Sequence, residues 1–176
     1  MNAADLDQQI ATWHDPADGA SMKSHELILM LLRTSEQPFS RDQFAPGHIT
    51  GTGLVLHPKR NAVLLVHHKR LNRWLLPGGH VEAEDATIFD SARREVSEET
   101  AVSLDQTHHL IGLDVHGIPG NTREPYHLHH DIVVAFQAVE DQIVVSEESR
   151  AVAWCGFDEL DRYQVPDNVR RCLGRI

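Results

Sequence analysis

The stretch "LLPGGHVEAEDATIFDSARREVSEETAV" runs from Leu75 to Val102. A short extended piece stops at Pro77 and two glycines, and helical spacing follows. Ile88, Ala92 and Val96 lie four apart with Phe89 beside them, one apolar stripe suited to packing on a sheet. Asp85 or Thr87 stands where an N-cap is expected, and the spacing predicts a helix from about Asp85 to Thr100. At roughly 100° per residue, Glu95, Glu98 and Glu99 fall within about a third of the helix circumference. Such carboxylates repel one another unless cations compensate them. Arg94, four residues before Glu98, pairs with it but does not balance three acids. Two readings stay open on these residues alone. One is a solvated acidic face laced with i,i+4 ion pairs. The other is a site for hard divalent ions, which prefer carboxylate oxygens and serve phosphate chemistry. The upstream Gly78-Gly79 turn favours the second, because glycines let backbone groups approach an ion or a phosphate.

Working outward, "ITGTGLVL" (Ile49 to Leu56) and "AVLLVHH" (Ala62 to His68) read as strands joined by the turn "HPKRN". "LIGLDVHGI" and "HLHHDIVVAFQAV" read as two more, separated by "PGNTREP", and "RAVAWCGF" as another. The short run "DELDR" and the terminal "NVRRCLGRI" read as helices. Upstream, Leu6 to Trp13 is a weak helix candidate, and a helix capped by Ser24 runs through Arg33. Strands cluster instead of alternating with helices, which favours an α+β fold with a mixed sheet and helices on its faces. The 176 residues are expected to form one domain, with 1–45 as an N-terminal helical extension.

The formal net charge of -10 argues against a nucleic-acid polymer as partner. It does not exclude a small phosphorylated ligand, because a divalent cation inverts the local field. No apolar run is long enough to span a bilayer, so no membrane partner is expected. The first residues lack the basic start and apolar centre of a signal peptide. Cys155 and Cys172 show neither a disulfide framework nor metal spacing. A cytoplasmic location is therefore the default expectation.

The segment around the acidic run resembles the signature of the Nudix hydrolases, G-x5-E-x7-R-E-U-x-E-E-x-G-U, where U is bulky and apolar. Gly79 matches the first glycine, Arg94-Glu95-Val96-Ser97-Glu98-Glu99 matches the R-E-U-x-E-E core, and Val102 matches the closing apolar position, so the box covers about 79–102. Asp85 takes the place of the early glutamate, one extra residue separates it from Arg94, and Ala101 replaces the late glycine. Ala101 is expected to cost roughly 1 kcal/mol if the helix stops in the left-handed conformation. "HHKRLNRWLLPGGH", "EPYHLHHD" and Pro46-Gly47-His48 look like a bacterial subgroup of this family, with a box one residue longer and an HLHHD strand.

The resemblance implies an α/β/α sandwich that cleaves a diphosphate linkage in a nucleoside diphosphate derivative, with water as nucleophile. It implies Mg²⁺ or Mn²⁺ held by Glu95, Glu98 and Glu99, with the Gly79 carbonyl as a further ligand and Arg94 orienting the carboxylates. Glu147 and Glu148 are the candidate bases outside the box. A homodimer is one assembly open to it. The rival function is a nucleotide-binding sensor or regulatory domain that does not cleave, and the presence of all three glutamates favours catalysis.

The 13 histidines are many for this length. His127, His129 and Asp131 alternate and share a face if their segment is a strand, with His116 nearby across the turn. That group reads as a substrate-phosphate contact, a second metal site or an ordinary polar sheet face. His80 sits next to Gly79, where a phosphate is expected, and Lys69, Arg70 and Arg73 form a basic cluster beside the glycine turn. His80, His127, His129, Lys69 and Arg73 are accordingly the candidate substrate-binding residues.

Overall fold

The strand nearest the glycine pair organises the sheet. In the computed structural model, which describes residues 1–147 and 149–176, β1 (Gly47–Leu56) lies at its centre. The others are β2 (Ala62–His68), β3 (Arg73–Leu75), β4 (Gly78–His80), β5 (Leu104–Ile118), β6 (His127–Ala138) and β7 (Ser149–Gly156). The path is β3-β2-β1-β6-β5, with β4 paired to β1 and β7 to β2. β1 and β6 run parallel, from Gly47↔Leu128 to Leu56↔Gln137. The remaining pairs are antiparallel, so the sheet is mixed. β1 meets β2 at Leu56↔Val63 and gives its edge at Thr50–Thr52 to β4. That divided edge brings the glycine pair against the middle of the central strand.

Helices cover both faces. α1 (Ala3–Ala11), α2 (Gly19–Thr34) and α3 (Ile88–Thr100) lie on one, α4 (Asp167–Leu173) on the other. Side-chain alternation along the strands sorts the core accordingly. Ile49 and Ile132 meet Leu6, Ile10, Ile28 and Leu31 of the first two helices. Val55, Val134 and Phe136 meet Ala92 and Val96 of α3. Leu54, Val133 and Ala135, pointing the other way, meet Val169 and Cys172 of α4. Each fully buried Val, Leu, Ile or Phe side chain among these contributes about 1.5–3 kcal/mol. The helices of the N-terminal extension, α1 and α2, thus pack into the core. α3 rides unusually close to β1: a Cβ on Gly53 would lie 2.2 Å from Val96 Cγ2.

Several expected boundaries shift for local reasons. α2 begins at Gly19 because Asp18 caps it, accepting from Ala20 N and Ser21 N. Ser24 is instead interior and buried, and its Oγ accepts from Val115 N at 3.1 Å. α3 starts at Ile88 behind a reciprocal capping box between Thr87 and Asp90. "DELDR" forms successive turns, not a helix: Gln164 has φ 51° and Pro166 follows, so no second turn propagates. The second and third residues of "PGGH" do not merely end a strand, since Gly78–His80 is itself one, paired with Thr52–Thr50. β5 begins at Leu104, earlier than the apolar run suggests; its first residues are polar, and register shifts interrupt the alternation.

Candidate active site

The glycine pair and α3 fit together through the acids. Gly78 N donates to Glu99 Oε1 at 2.9 Å, and Glu99 is buried. Gly79 leaves room for Glu95: a Cβ there would lie 2.7 Å from Oε1 and 2.9 Å from Oε2. Any larger residue would push that carboxylate away. Arg94 ties the arc together. Its Nη1 donates to Glu95 Oε1 and to Glu98 Oε2, each at 3.0 Å. Its Nη2 donates to the His80 carbonyl at 2.8 Å.

Asp85 takes the other edge of the same guanidinium, accepting from Nε at 3.1 Å and Nη2 at 3.0 Å. A two-pronged contact of this kind fixes orientation as well as charge. Burial works to raise the Asp85 pKa, but the hydrogen bonds from Arg94 and Glu82 N outweigh it and hold the carboxyl below its usual range. The Asp85 bonds, with help from Glu95, raise Arg94 further still. Asp85 therefore acts on the box through Arg94. The extra residue ahead of Arg94 is absorbed in the loop 81–87, and α3 is a continuous helix. It ends on Ala101 at φ 52°, ψ 16°, the left-handed stop anticipated for this alanine.

One guanidinium faces four carboxylates, Glu82, Asp85, Glu95 and Glu98, and Glu99 adds a fifth anion to the group. The donors are all oxygens, and the glycine cradle would be filled by any Cβ. This set fits a hard divalent cation.

A cavity of about 950 Å³ opens beside it. Glu95, Glu98, Glu99 and Gly79 line one side, His80, His116, His129 and Asp131 the sheet wall, and Arg70, Arg73 and Glu147 lie along its rim. Arg73 is exposed. Lys69 does not line the cavity; its Nζ donates to the Glu147 carbonyl. Glu148, the second candidate base, lies outside the described residues.

On the sheet wall the histidines gather more tightly than their spacing alone indicates. His116 is registered opposite His129, and His129 is also registered beside His48 on β1. The His129 ring lies 5.0 Å from His48, 5.4 Å from His80, 5.3 Å from His127 and 5.7 Å from His116, centroid to centroid. His127 is buried, with Nδ1 at 2.9 Å from the Pro125 carbonyl. Burial first, then the neighbouring imidazoles, lowers His129 to about 2 and His80 to about 4. Burial lowers His48 as well. His116 goes the other way: burial opposes its charge, but Asp114 and Asp131 outweigh burial and raise it.

Asp131 shares the face with His129. Its Oδ1 accepts from Thr50 Oγ1 at 2.9 Å and Thr52 Oγ1 at 2.7 Å. Burial raises its pKa even so. His48, Thr50 and Thr52 escaped the sequence reading as site residues, although their alternation in β1 marks a polar face; what hid them was the parallel pairing with β6. Trp74 and Trp154 pack against core clusters.

The model of the NUDIX domain family matches residues 47–173, and the chain belongs to that family. Membership supports a pyrophosphohydrolase acting on acid anhydrides. Comparison with curated proteins gives no significant match. Solved structures share the fold at low identity. A NUDIX-family hydrolase from Clostridium perfringens is 22% identical with a TM-score of 0.55, covering 72% of this chain and 96% of its own. A NUDIX hydrolase from Nitrosomonas europaea is 20% identical with a TM-score of 0.54, covering 72% and 86%. The NUDIX domain of Shewanella oneidensis NrtR, solved with ADP ribose, is 16% identical with a TM-score of 0.57, covering 83% and 95%. No helix among the described residues is long and apolar enough to cross a membrane.

Proposed function

We propose that this chain hydrolyses the diphosphate linkage of a nucleoside diphosphate derivative of the nucleotide, nucleotide-sugar or dinucleotide type, using Mg²⁺ or Mn²⁺. The observation that carries this reading is the arc of Glu95, Glu98 and Glu99 against the Gly78-Gly79 strand, facing a cavity large enough for such a ligand. Glu95, Glu98, Glu99 and the Gly79 carbonyl would hold the cations. Bound there, they would screen the diphosphate charge and lower the pKa of a bound water.

The protein's own part is positioning. Asp85 fixes Arg94, Arg94 fixes Glu95 and Glu98, and Gly78 N fixes Glu99. Phosphoryl chemistry depends on such preorganised charge more than on covalent catalysis. Arg73, at the rim, would meet a terminal phosphate, and Glu147, which also lines the cavity, would take a proton from the attacking water. A cytoplasmic location accords with this chemistry.

The alternative, a nucleotide sensor that binds without cleaving, draws on the likeness to the NrtR domain solved with ADP ribose. The complete carboxylate set favours hydrolysis. A screen of nucleoside diphosphate derivatives with Mg²⁺ and Mn²⁺, reading out phosphate after a coupling phosphatase, separates the two. The hydrolase reading expects cation-dependent turnover of at least one class. Tight nucleotide binding without turnover would support the sensor.

A further inference from the structure

The imidazoles on the sheet wall do something the carboxylate arc does not. We propose that His48, His80 and His129 form a binding site for a transition-metal ion of the Zn²⁺ class, distinct from the carboxylate site and open to the same cavity.

Geometry comes first. One ligating nitrogen from each of the three lies within 4.8 Å of the other two. The rings stand 5.0 Å (His48–His80), 5.0 Å (His48–His129) and 5.4 Å (His80–His129) apart, centroid to centroid. They come from three neighbouring strands. His48 of β1 is registered with His129 of β6, and His80 of β4 is registered with Thr50 of β1. The backbone frame is therefore a hydrogen-bonded ladder, the rigid support a metal site needs. Tetrahedral coordination at about 2.0–2.1 Å needs nitrogens roughly 3.4 Å apart, so the rings close by a little over 1 Å. His80 and His129 are only partly buried, on the cavity wall, and have room to turn.

The state of His48 is the second and independent observation. Its side chain is almost wholly enclosed, at 1% exposure. Nδ1 lies 3.2 Å from the Gln43 carbonyl, which makes Nδ1 the protonated nitrogen and Nε2 the one with the free lone pair. Nε2 is buried and has no hydrogen-bond partner among the described residues. A ring whose Nδ1–H is held by a carbonyl and whose Nε2 is bare has the orientation of a metal-ligating histidine. His116 carries the carboxylate version of the same arrangement, with Nδ1 at 3.0 Å from Asp114 Oδ2.

The donor type selects the ion. Three imidazoles suit Zn²⁺ and its first-row neighbours, whereas Mg²⁺ takes oxygen ligands. Three protein ligands also leave a fourth position. Because His80 and His129 line the cavity, that position faces it, where a water or a phosphate oxygen fits. A phosphate oxygen at that position rests on the diphosphate reading; metal binding itself does not.

The test measures Zn²⁺ binding without substrate. The full chain is stripped with a chelator, the carboxylate arc is saturated with excess Mg²⁺, and Zn²⁺ is titrated calorimetrically, with Co²⁺ absorption bands as a second readout. One Zn²⁺ per chain is expected at this site. His129→Ala and His80→Ala should weaken it by more than the roughly 10–100-fold seen when outer-shell partners are removed. Glu98→Gln should leave it unchanged. Since His48→Ala risks misfolding, the partly exposed His80 supplies the deciding variant. No Zn²⁺ uptake by wild type, equal uptake by wild type and His80→Ala, or loss of Zn²⁺ in Glu98→Gln would each overturn the proposal. Failure of the hydrolase reading would appear elsewhere, as absent turnover with Zn²⁺ binding intact.

Discussion

A single step along β4 separates two chemically opposite walls of one cavity. Gly79 faces Glu95 on the helix side, while the ring of the next residue, His80, lies beside His48 and His129 on the sheet side. The first wall is made of hard oxygens held by one arginine. The second is made of imidazoles, with His80 and His129 kept neutral by burial and mutual repulsion. The acidic wall is built largely within one continuous stretch, Gly78 to Glu99, so its parts are fixed by local structure. The imidazole wall is assembled from β1, β4, β5 and β6 and exists only through long-range pairing.

The largest effect should come from the acidic wall. Glu98→Gln and Glu99→Gln should each lower kcat by about 10²–10³, the scale for losing one preorganised group that stabilises transition-state charge. Thermal melts should show the fold intact. If either variant keeps full cation-dependent turnover, that residue is not a ligand and the two walls do not divide the work.

Next, Arg94→Ala should cost about 3 kcal/mol of stability, because it leaves the buried Asp85 carboxylate without its partner. Chemical denaturation measures this. Arg94→Lys should restore part of the stability but little activity, since an ammonium cannot make the two-edged contact to Asp85 and Glu95. Equal activity in Lys and Arg forms would mean that charge alone, not orientation, is what Arg94 supplies.

The imidazole wall predicts a pH effect of its own. An imidazole with a folded pKa below the ordinary 6.5 takes up a proton on unfolding, so the unfolded chain binds more protons in that window. Stability should therefore fall as pH drops from about 6.5 toward about 4, through His80 on this wall and through the buried His130 on the opposite face of β6. His129 should extend the loss toward about 2. His116, raised by Asp114 and Asp131, takes up its proton mainly above pH 6.5 and leaves this window little changed, while Asp131, raised by burial, opposes the loss toward the acid end. Melting temperatures in chelator-containing buffer across that range check the sign; a flat or rising profile would contradict it.

Smallest is Ala101→Gly, expected to stabilise the protein by about 1 kcal/mol by relieving the left-handed alanine at the end of α3. Activity should not change, because the three glutamates lie upstream of that stop.

The contrast between the walls also explains what the sequence disclosed. The spacing of Ile88, Ala92 and Val96 placed α3 against the sheet, and the arc of Glu95, Glu98 and Glu99 was legible from helix geometry. The left-handed stop at Ala101 lies where the family signature carries its late glycine. Ser24 is not the cap, because Asp18 offers its carboxylate six residues earlier, in the turn ahead of the apolar stripe. The role of Asp85 depends on the loop 81–87, which folds back and brings it to Arg94 across nine positions. His116 and His129 were legible as neighbours because a short turn joins their strands. His48 was not, since 81 residues separate it from His129 and only the parallel β1–β6 register brings them together. No local pattern encodes such a pairing.

The most direct test of the carboxylate arc is to soak crystals with Mn²⁺ and a non-hydrolysable nucleoside diphosphate analogue and record the anomalous signal. Density between Gly79 and the side chains of Glu95, Glu98 and Glu99 is the predicted result. An arc that stays empty while the analogue is bound would contradict the account.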